Sequence, residues 1–487
     1  MNTLNYKAII RIMGIIVLII GISMLIPWIY AEVTGDSASA EGFRKCAPVT
    51  IIIGLAASNL FRSKNAKFRS REGYIIVASC WILASFIGAF PYYLSGFADS
   101  FIDALFESTS GFTTTGCTSV CDIFPSKSLL LWKAIASWLG GMGILVFVIS
   151  ILPALGINGQ MIVKAETPSP VLKKVTVRMS DTAQILYITY ITFTLLEFVL
   201  LMCSGKMPVY DAAVTSLGSI STGGLLVHPE GITYYNSFYI EIIISVFCIL
   251  SSVSFILYHY VIAGKPSVLF KDIEFRAYMM ILGIAISICT ASLVFSGGIP
   301  FGTAFRDSFF EIVSVASTTG YSRSQYILWP ATCQIVLIAV MFIGGCSAST
   351  SGSIKVMRVM VMFKLIVRGC IKRTHPRSVV SVKLGGRAIP AHIVSEITVF
   401  IFTYMMVLFV SAIILSLQGL SLESTITTSL GILSNTGSCF GETALAGDFS
   451  AFHPLLKFYL CGLMVIGRLE LFTIVVMFTR NFWGKNR

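Results

Sequence analysis

Thr318-Thr319-Gly320-Tyr321 is a short polar stretch set between two long apolar runs. It recurs in altered form at Thr114-Thr115-Gly116-Cys117, Ser221-Thr222-Gly223-Gly224 and Asn435-Thr436-Gly437-Ser438. In every copy an acid (Asp103, Asp211, Asp307 or Glu423) begins the preceding segment, 12 to 14 residues ahead of the glycine of the Thr-Gly pair. Those glycines are spaced by 107, 97 and 117 residues, so the chain reads as one unit used four times. A fifth pair, Thr34-Gly35, stands outside the pattern.

Composition sets the surroundings of these segments. The 487 residues are 55% hydrophobic and 12% charged, and a mean hydropathy of +0.85 excludes an ordinary soluble domain. Apolar runs near 8–30, 47–61, 74–95, 131–152, 183–203, 237–262, 277–296, 332–362, 391–417 and 454–478 read as ten membrane crossings. The net charge of +12 does not point to nucleic acid, because the basic residues gather in alternate loops. Those loops are Arg62 to Arg71, Lys164 to Arg178, Lys265 to Arg276, Lys364 to Arg387 and the tail Arg480 to Arg487. Basic loops stay on the cytoplasmic side, which puts both termini inside and lets all four Thr-Gly segments enter from outside. The first apolar run is too long for the core of a cleaved signal, although Ala38-Ser39-Ala40 follows it.

An apolar span, a half-helix ending in Thr-Gly and a second span form the plan of one cation-channel subunit, fused here four times. A segment of about nine helical residues rises only about 13 Å, so it enters the membrane and stops halfway. Irregular backbone at that depth is tolerated only against protein or a water-filled cavity. Four such stops around one axis place backbone carbonyls where they can replace an ion's hydration shell. The C-terminal ends of the half-helices add partial negative charge, and the leading acids fit N-terminal caps. Glycine suits backbone angles that a side chain disfavours. The residues after the glycines are unequal: Cys117, Gly224, Tyr321 and Ser438. Unequal walls predict a potassium preference with weaker rejection of sodium than in a symmetric channel.

An enzyme finds little support. Most of the twelve cysteines lie in apolar spans, and neither a zinc spacing nor a nucleophile motif is present. Cys117 and Cys121 are close enough in sequence to be bridged.

Three further stretches carry a family resemblance. They are Ser137-Trp138-Leu139-Gly140-Gly141-Met142-Gly143, the run from Gly344-Gly345-Cys346-Ser347 through Gly352-Ser353-Ile354-Lys355, and Gly467-Arg468-Leu469-Glu470-Leu471. With the four Thr-Gly segments, they resemble the signatures of the Trk/Ktr/HKT potassium transporter superfamily from about residue 70 onward. Two spans ahead of the first repeat resemble its bacterial Trk-type uptake subunit. The resemblance implies an all-α integral membrane protein with four membrane–pore-loop–membrane repeats in pseudo-fourfold symmetry around one pore. The divisions would be 1–70 for the extension, then 71–180, 181–275, 276–388 and 389–487 for the repeats. It implies potassium uptake across the bacterial inner membrane, with potassium as the transported ion, no bound cofactor and no enzymatic activity. It also implies a homodimer and a cytosolic ring of nucleotide-binding subunits, TrkA-like, received at the basic inner face around Lys364 to Arg387. That same basic stretch reads equally well as a loop facing lipid headgroups.

The candidate ion-binding residues are Thr114, Thr115, Gly116, Ser221, Thr222, Gly223, Thr318, Thr319, Gly320, Asn435, Thr436 and Gly437. Gly344 to Ser353 is too rich in glycine, serine and threonine for a helix interior. It is expected to form an intramembrane loop that gates the path through Gly344, Gly345 and Gly352, or else a tightly packed small-residue helix face. Arg468 is a charge inside a span. It is expected either to face the pore as a barrier or to bond carbonyls of the loop, and Glu470 lies on another face. Glu107 and Glu311 are expected to brace the filter from behind, Glu197 and Glu241 to pair across helices, and Lys355 and Arg358 to snorkel toward the cytoplasm. A sodium- or proton-coupled carrier, a membrane-embedded enzyme and a non-conducting sensor are the alternatives.

Overall fold

The computed structural model describes residues 6–61, 70–120, 126–143, 179–378, 380–440, 449–479 and 482. Cys121, the basic stretch Lys164 to Arg178, most of 62–71 and of 480–487, and the inner end of the run 131–152 lie outside these residues.

The chain opens with Tyr6–Ser23 and Leu25–Thr34, followed by Ser37–Leu60, which returns antiparallel to the first helix. Small residues permit the close approach. A Cβ on Gly54 would fall 2.5 Å from the Leu18 nitrogen, and one on Gly14 would fall 2.7 Å from Ala57. The returning helix is 24 residues long and contains Pro48, so the run expected at 47–61 underestimates it. This hairpin grips the first repeat at the start of Lys127–Gly141, where Ser39 and Ser126 hydroxyls meet at 2.8 Å and Ser126 donates to Asp36 at 3.1 Å. Deeper in, Trp132 stands edge-on to both Phe43 and Phe112.

Four helix–short helix–helix units follow. The first helices, Ser70–Leu94, Met179–Met202, Ile273–Phe295 and Ala391–Ser416, are long and continuous, and each contains a stretch long and apolar enough to cross a membrane. They turn apolar side chains outward. Val399, Phe402, Phe409 and Ile413 of the last one are exposed, as suits contact with lipid. The pore helices are Phe101–Phe112, Val209–Ile220, Phe301–Ala316 and Leu422–Leu433. They have 12, 12, 16 and 12 residues, longer than the half-helices expected.

The second helices are broken short of the crossings expected, and only in the third was a break foreseen. Lys127–Gly141, Phe238–Ser252, Ala331–Ile343 and Pro454–Arg468 stop after 15, 15, 13 and 15 residues. The second of them resumes as Phe255–Ile262 at an angle of 99°. The backbone shows the cause. Gly143 and Gly344 turn to positive φ (79° and 72°), as do Glu470 and Leu471 (54° and 53°), and Val253 is extended with ψ 150°. Before two of these breaks a glycine presses on a pore helix. A Cβ on Gly140 would lie under 3.0 Å from the Phe112 carbonyl oxygen, and one on Gly467 under 3.0 Å from that of Leu433. Past the third break, Val356–Thr374 carries the chain to a two-stranded ribbon, Lys383–Leu384 with Arg387–Ala388, turned at Gly385-Gly386. That ribbon is the small exception to an all-helical fold.

Candidate functional site

The pore helices end at Thr113, Ser221, Ser317 and Ser434. The next residue in each repeat is left-handed: Thr114 (φ 57°), Thr222 (59°), Thr318 (59°) and Asn435 (55°). A β-branched residue there is a true outlier, and such strain persists only where surrounding structure enforces it. Two residues further on, Gly116, Gly224, Gly320 and Gly437 take φ 80°, 58°, 82° and 70°.

This pattern corrects the register of the second repeat. Thr222 occupies the place of Thr114, not of Thr115. Ser221 therefore matches Thr113, Gly223 matches Thr115, and Gly224 is the counterpart of Gly116. The Gly223 N–H bonds the Gly218 carbonyl at 2.8 Å, as Thr115 bonds Ser110 and Thr319 bonds Ser314, each at 2.9 Å. The dipeptide match was one residue out because Gly223 and Gly224 are adjacent and only the second has positive φ.

With that register the four segments close into a ring. A Cβ on Gly116 would fall under 3.0 Å from the Gly223 carbonyl oxygen, and one on Gly224 from that of Thr319. Gly320 stands in the same relation to Thr436, and Gly437 to Thr115. Each repeat touches the next in the order one to four, and the fourth returns to the first. Any side chain at these glycines meets both backbone strain and a neighbour's carbonyl. Behind the ring, hydroxyls pair within three segments: Thr113 with Thr115 at 2.8 Å, Ser317 with Thr319 at 2.7 Å, and Ser434 with Thr436 at 2.8 Å. Gly223 has no hydroxyl to offer, and Ser221 meets Ser137 at 2.9 Å instead.

The leading acids are not the caps. Ser100 and Ser421 cap the first and fourth pore helices, and Pro208 and Pro300 precede the second and third. The acids sit further in, and three of them, Asp103, Asp211 and Asp307, fasten neighbouring elements. Lys457 donates to Asp103 at 2.6 Å, Asp211 takes Tyr235 Oη at 2.7 Å and His228 at 3.0 Å, and Asp307 pairs with Arg323. Glu107 and Glu311 brace the stretch just beyond the ring. Thr118 Oγ1 and the Ser119 N–H each donate to Glu107 at 2.6 Å. Glu311 accepts from the N–H groups of Arg323 (2.7 Å) and Ser324 (2.9 Å) and from the Ser322 hydroxyl (3.0 Å). Glu241 pairs across helices with Arg306 at 2.7 Å and with Arg323 at 3.0 Å. Glu197 also bonds across helices, accepting from the Ser219 hydroxyl at 2.6 Å. Cys117 is buried, with its Sγ 3.7 Å from the Gly437 carbonyl oxygen.

Below the ring lies the stretch from Gly344 to Lys355, folded as a loop and not as a helix face. Its Gly352 N–H donates to Thr318 Oγ1 at 2.8 Å, and its Thr350 carbonyl accepts from Thr222 Oγ1 at 3.2 Å. A Cβ on Gly352 would fall under 3.0 Å from the Ser434 carbonyl oxygen, and one on Gly345 2.9 Å from that of Ser252. The loop's ends are tied together by Glu274, a buried acid at the start of Ile273–Phe295. It accepts from the Ser347 N–H at 2.7 Å and the Met357 N–H at 3.1 Å. Arg468 reaches under the loop from the fourth repeat. It donates to the Thr350 carbonyl at 2.8 Å, to that of Gly140 in the first repeat at 2.8 Å, and to Gly141. Loop and arginine together therefore contact all four repeats beneath the ring.

Lys355 and Arg358 do not snorkel. Both are buried. Lys355 turns inward to the Ser351 carbonyl, and Arg358 pairs with Glu470 while its guanidinium lies 4.1 Å from the Phe400 ring centre. The left-handed turn at Glu470 brings that acid to Arg358, leaving Arg468 to the carbonyls.

Sequence reasoning passed over Gly224, Lys133, Lys457 and Glu274. The two lysines carried a signal of their own, since each interrupts an apolar run.

A family described as cation transport protein, TrkH, matches residues 39–485. The chain belongs to the TrkH family. Among TrkH relatives, the Trk system potassium uptake protein of Salmonella typhimurium is 33% identical over 486 residues, covering 99% of this chain and 100% of that protein. The Escherichia coli K12 protein of the same description is 33% identical over 489 residues with the same coverage. The crystal structure of the potassium transporter TrkH from Vibrio parahaemolyticus superposes with a TM-score of 0.88 at 30% identity, covering 99% of this chain and 100% of that one. The long continuous helices, the four pore helices and the two-helix extension are thus the TrkH architecture.

Proposed function

We propose that this chain carries potassium into the bacterial cell across the inner membrane, through a filter formed by the four axial segments. The loop from Gly344 to Lys355, with Arg468, gates the path below. The relatives' own descriptions as potassium uptake proteins support the ion. The observation that carries the reading is the closed ring of glycine-to-carbonyl contacts. Such a ring presents four sets of carbonyl oxygens to one axis, where they replace water around a cation. Four helix C-terminal ends add negative partial charge at the same place. Both termini are cytoplasmic in this reading. Pairing as a homodimer and regulation by a TrkA-like nucleotide-binding ring belong to the same proposal. The basic inner helix Val356–Thr374, with Lys364, Arg368, Lys372 and Arg373, offers that ring a surface.

Potassium and sodium flux into liposomes holding the purified chain tests the filter, alongside a Gly320→Ser version. Potassium-preferring flux that loses its preference in the variant is expected. Unchanged preference in the variant would overturn the filter. Shortening the loop is expected to raise flux. Arg468→Ala is expected to speed it too, whereas loss of folded protein would assign Arg468 to holding the fold.

A proton-coupled carrier is the second reading, and Glu197 favours it. This carboxyl is fully buried, bonded to the second pore helix through Ser219, and its other oxygen has no hydrogen-bond partner among the described residues. Uptake that needs a pH gradient, and loses that need in Glu197→Gln, would establish the coupled mechanism. Uptake down the potassium gradient alone would exclude it.

A further inference from the structure

We propose that Lys133 is a positioning residue for ion selection, and that its buried ammonium holds the first wall of the ring from behind. The inference rests on the filter reading above. Lys133 is the seventh residue of Lys127–Gly141, and the seventh residues of the other three second helices are Ile244, Leu337 and Leu460, all buried. One repeat in four therefore places a charge at this position.

Its bonds are specific. Lys133 is 2% exposed and Glu107 is 0% exposed, and the ammonium donates to the Glu107 Oε2 at 2.6 Å. The same ammonium donates to the Cys117 carbonyl at 2.8 Å, and the Ser110 hydroxyl donates to that carbonyl at 2.6 Å. Two donors from the rear occupy both lone pairs of the carbonyl that follows Gly116. They fix the Cys117–Thr118 peptide, one residue beyond Gly116, and so limit how far the chain leaving the ring can shift. Burial raises the consequence of losing such bonds, because charge-assisted hydrogen bonds are about twice as strong as neutral ones.

The third repeat shows what the lysine replaces. There the Tyr321 carbonyl also takes a rear hydroxyl, from Ser314 at 2.6 Å. The Tyr321 ring then reaches the second pore helix, its hydroxyl donating to the Thr215 carbonyl at 3.2 Å. Among the described residues Glu311 keeps one oxygen without a hydrogen-bond partner, since Leu337 stands where a lysine would be. In the first repeat Cys117 is too short to span any such gap. The ammonium supplies from behind the restraint that the tyrosine ring supplies in the third repeat. Because Lys133 and Glu107 neutralise one another, the pair acts on geometry more than on the field along the pore.

The test is potassium-to-sodium preference in liposome flux for Glu107→Gln/Lys133→Met, which removes both charges together, with thermal unfolding of the same protein. Lys133→Arg, Ser110→Ala and Gly320→Ser are measured beside it. The double variant is expected to lose about tenfold in preference while remaining folded. Ser110→Ala, which strips the other donor without stranding a charge, is expected to lose about threefold, and Lys133→Arg is expected to restore part of the preference. A folded double variant with unchanged preference would overturn the proposal. Should the double variant not fold, unchanged preference in Ser110→Ala would overturn it instead. Loss of preference in Gly320→Ser alone would leave the filter standing and remove Lys133 from selection. Retained preference in Gly320→Ser would remove the filter itself.

Discussion

The first and third repeats, opposite one another in the ring, are fastened differently from the second and fourth. Buried glutamates on the pore helices, Glu107 and Glu311, hold the stretch beyond the ring in the first pair. An ion pair from the preceding repeat also grips the head of each of those two pore helices: Lys457 on Asp103, and Glu241 on Arg306. In the fourth repeat a hydroxyl does similar work, Thr427 accepting from the Phe440 N–H at 3.1 Å. In the second, Thr215 stands at the glutamate's position and Asp211 ties down His228 and Tyr235 instead. The backbone is fourfold and the fastenings are twofold. The difference follows from what each level demands. The ring needs left-handed turns and glycines against carbonyls, which few residues satisfy. Any donor meeting any acceptor will brace a loop, so the braces diverge.

The largest effect expected separates the two registers of the second repeat. Gly224→Ala places a Cβ against the Thr319 carbonyl at φ 58°, and about 1–2 kcal/mol of backbone strain adds to the clash. Potassium preference should vanish. Gly223→Ala meets mainly the Ser137 side chain, and combined with Ser137→Ala it should conduct with its preference kept. The reverse ranking would restore the register read from the Thr-Gly dipeptides.

A smaller contrast lies between the two braced repeats. Glu107→Gln leaves Lys133 buried without its charge partner, and thermal unfolding should register a loss of about 3–5 kcal/mol. Glu311→Gln weakens hydrogen bonds to neutral donors and should cost about 1–3 kcal/mol. Equal losses would mean that the ammonium adds nothing to the first wall. The smallest effect is expected in the fourth repeat, where Thr427→Val removes the bond from the Phe440 N–H and the hydroxyl's own bond to the Glu423 carbonyl and should cost about 1 kcal/mol. A loss as large as that of Glu311→Gln would erase the twofold distinction.

The fourfold plan was legible because every segment keeps a helix-ending hydroxyl, a polar left-handed residue and a glycine at nearly constant spacing. The loop was legible from the composition of Gly344 to Ser353. The break at Ser252-Val253 was not, because an extended residue such as Val253 leaves no mark in an apolar run. Nor were the left-handed turns at Glu470 and Leu471, which no residue preference announces. Lys355 and Arg358 read as inner-leaflet cations, and only the tertiary fold brings the Ser351 carbonyl and Glu470 to them. The acids in the first turns of the pore helices were found, but their role was misassigned: a serine three residues earlier does the capping in the first repeat, and Asp103, Asp211 and Asp307 face partners outside their helices. Asp103 meets Lys457 across 354 residues, a pairing that no local pattern encodes.

The central claim is that four segments in the register Thr115, Gly223, Thr319 and Thr436 hold a cation between their carbonyls. Anomalous diffraction from crystals grown in thallium, a heavy stand-in for potassium, tests it most directly. Thallium density on the ring axis, level with those four carbonyl oxygens and absent from Gly224→Ala crystals, is the result expected. An axis empty of thallium at that level, with density elsewhere in the protein, would contradict the account.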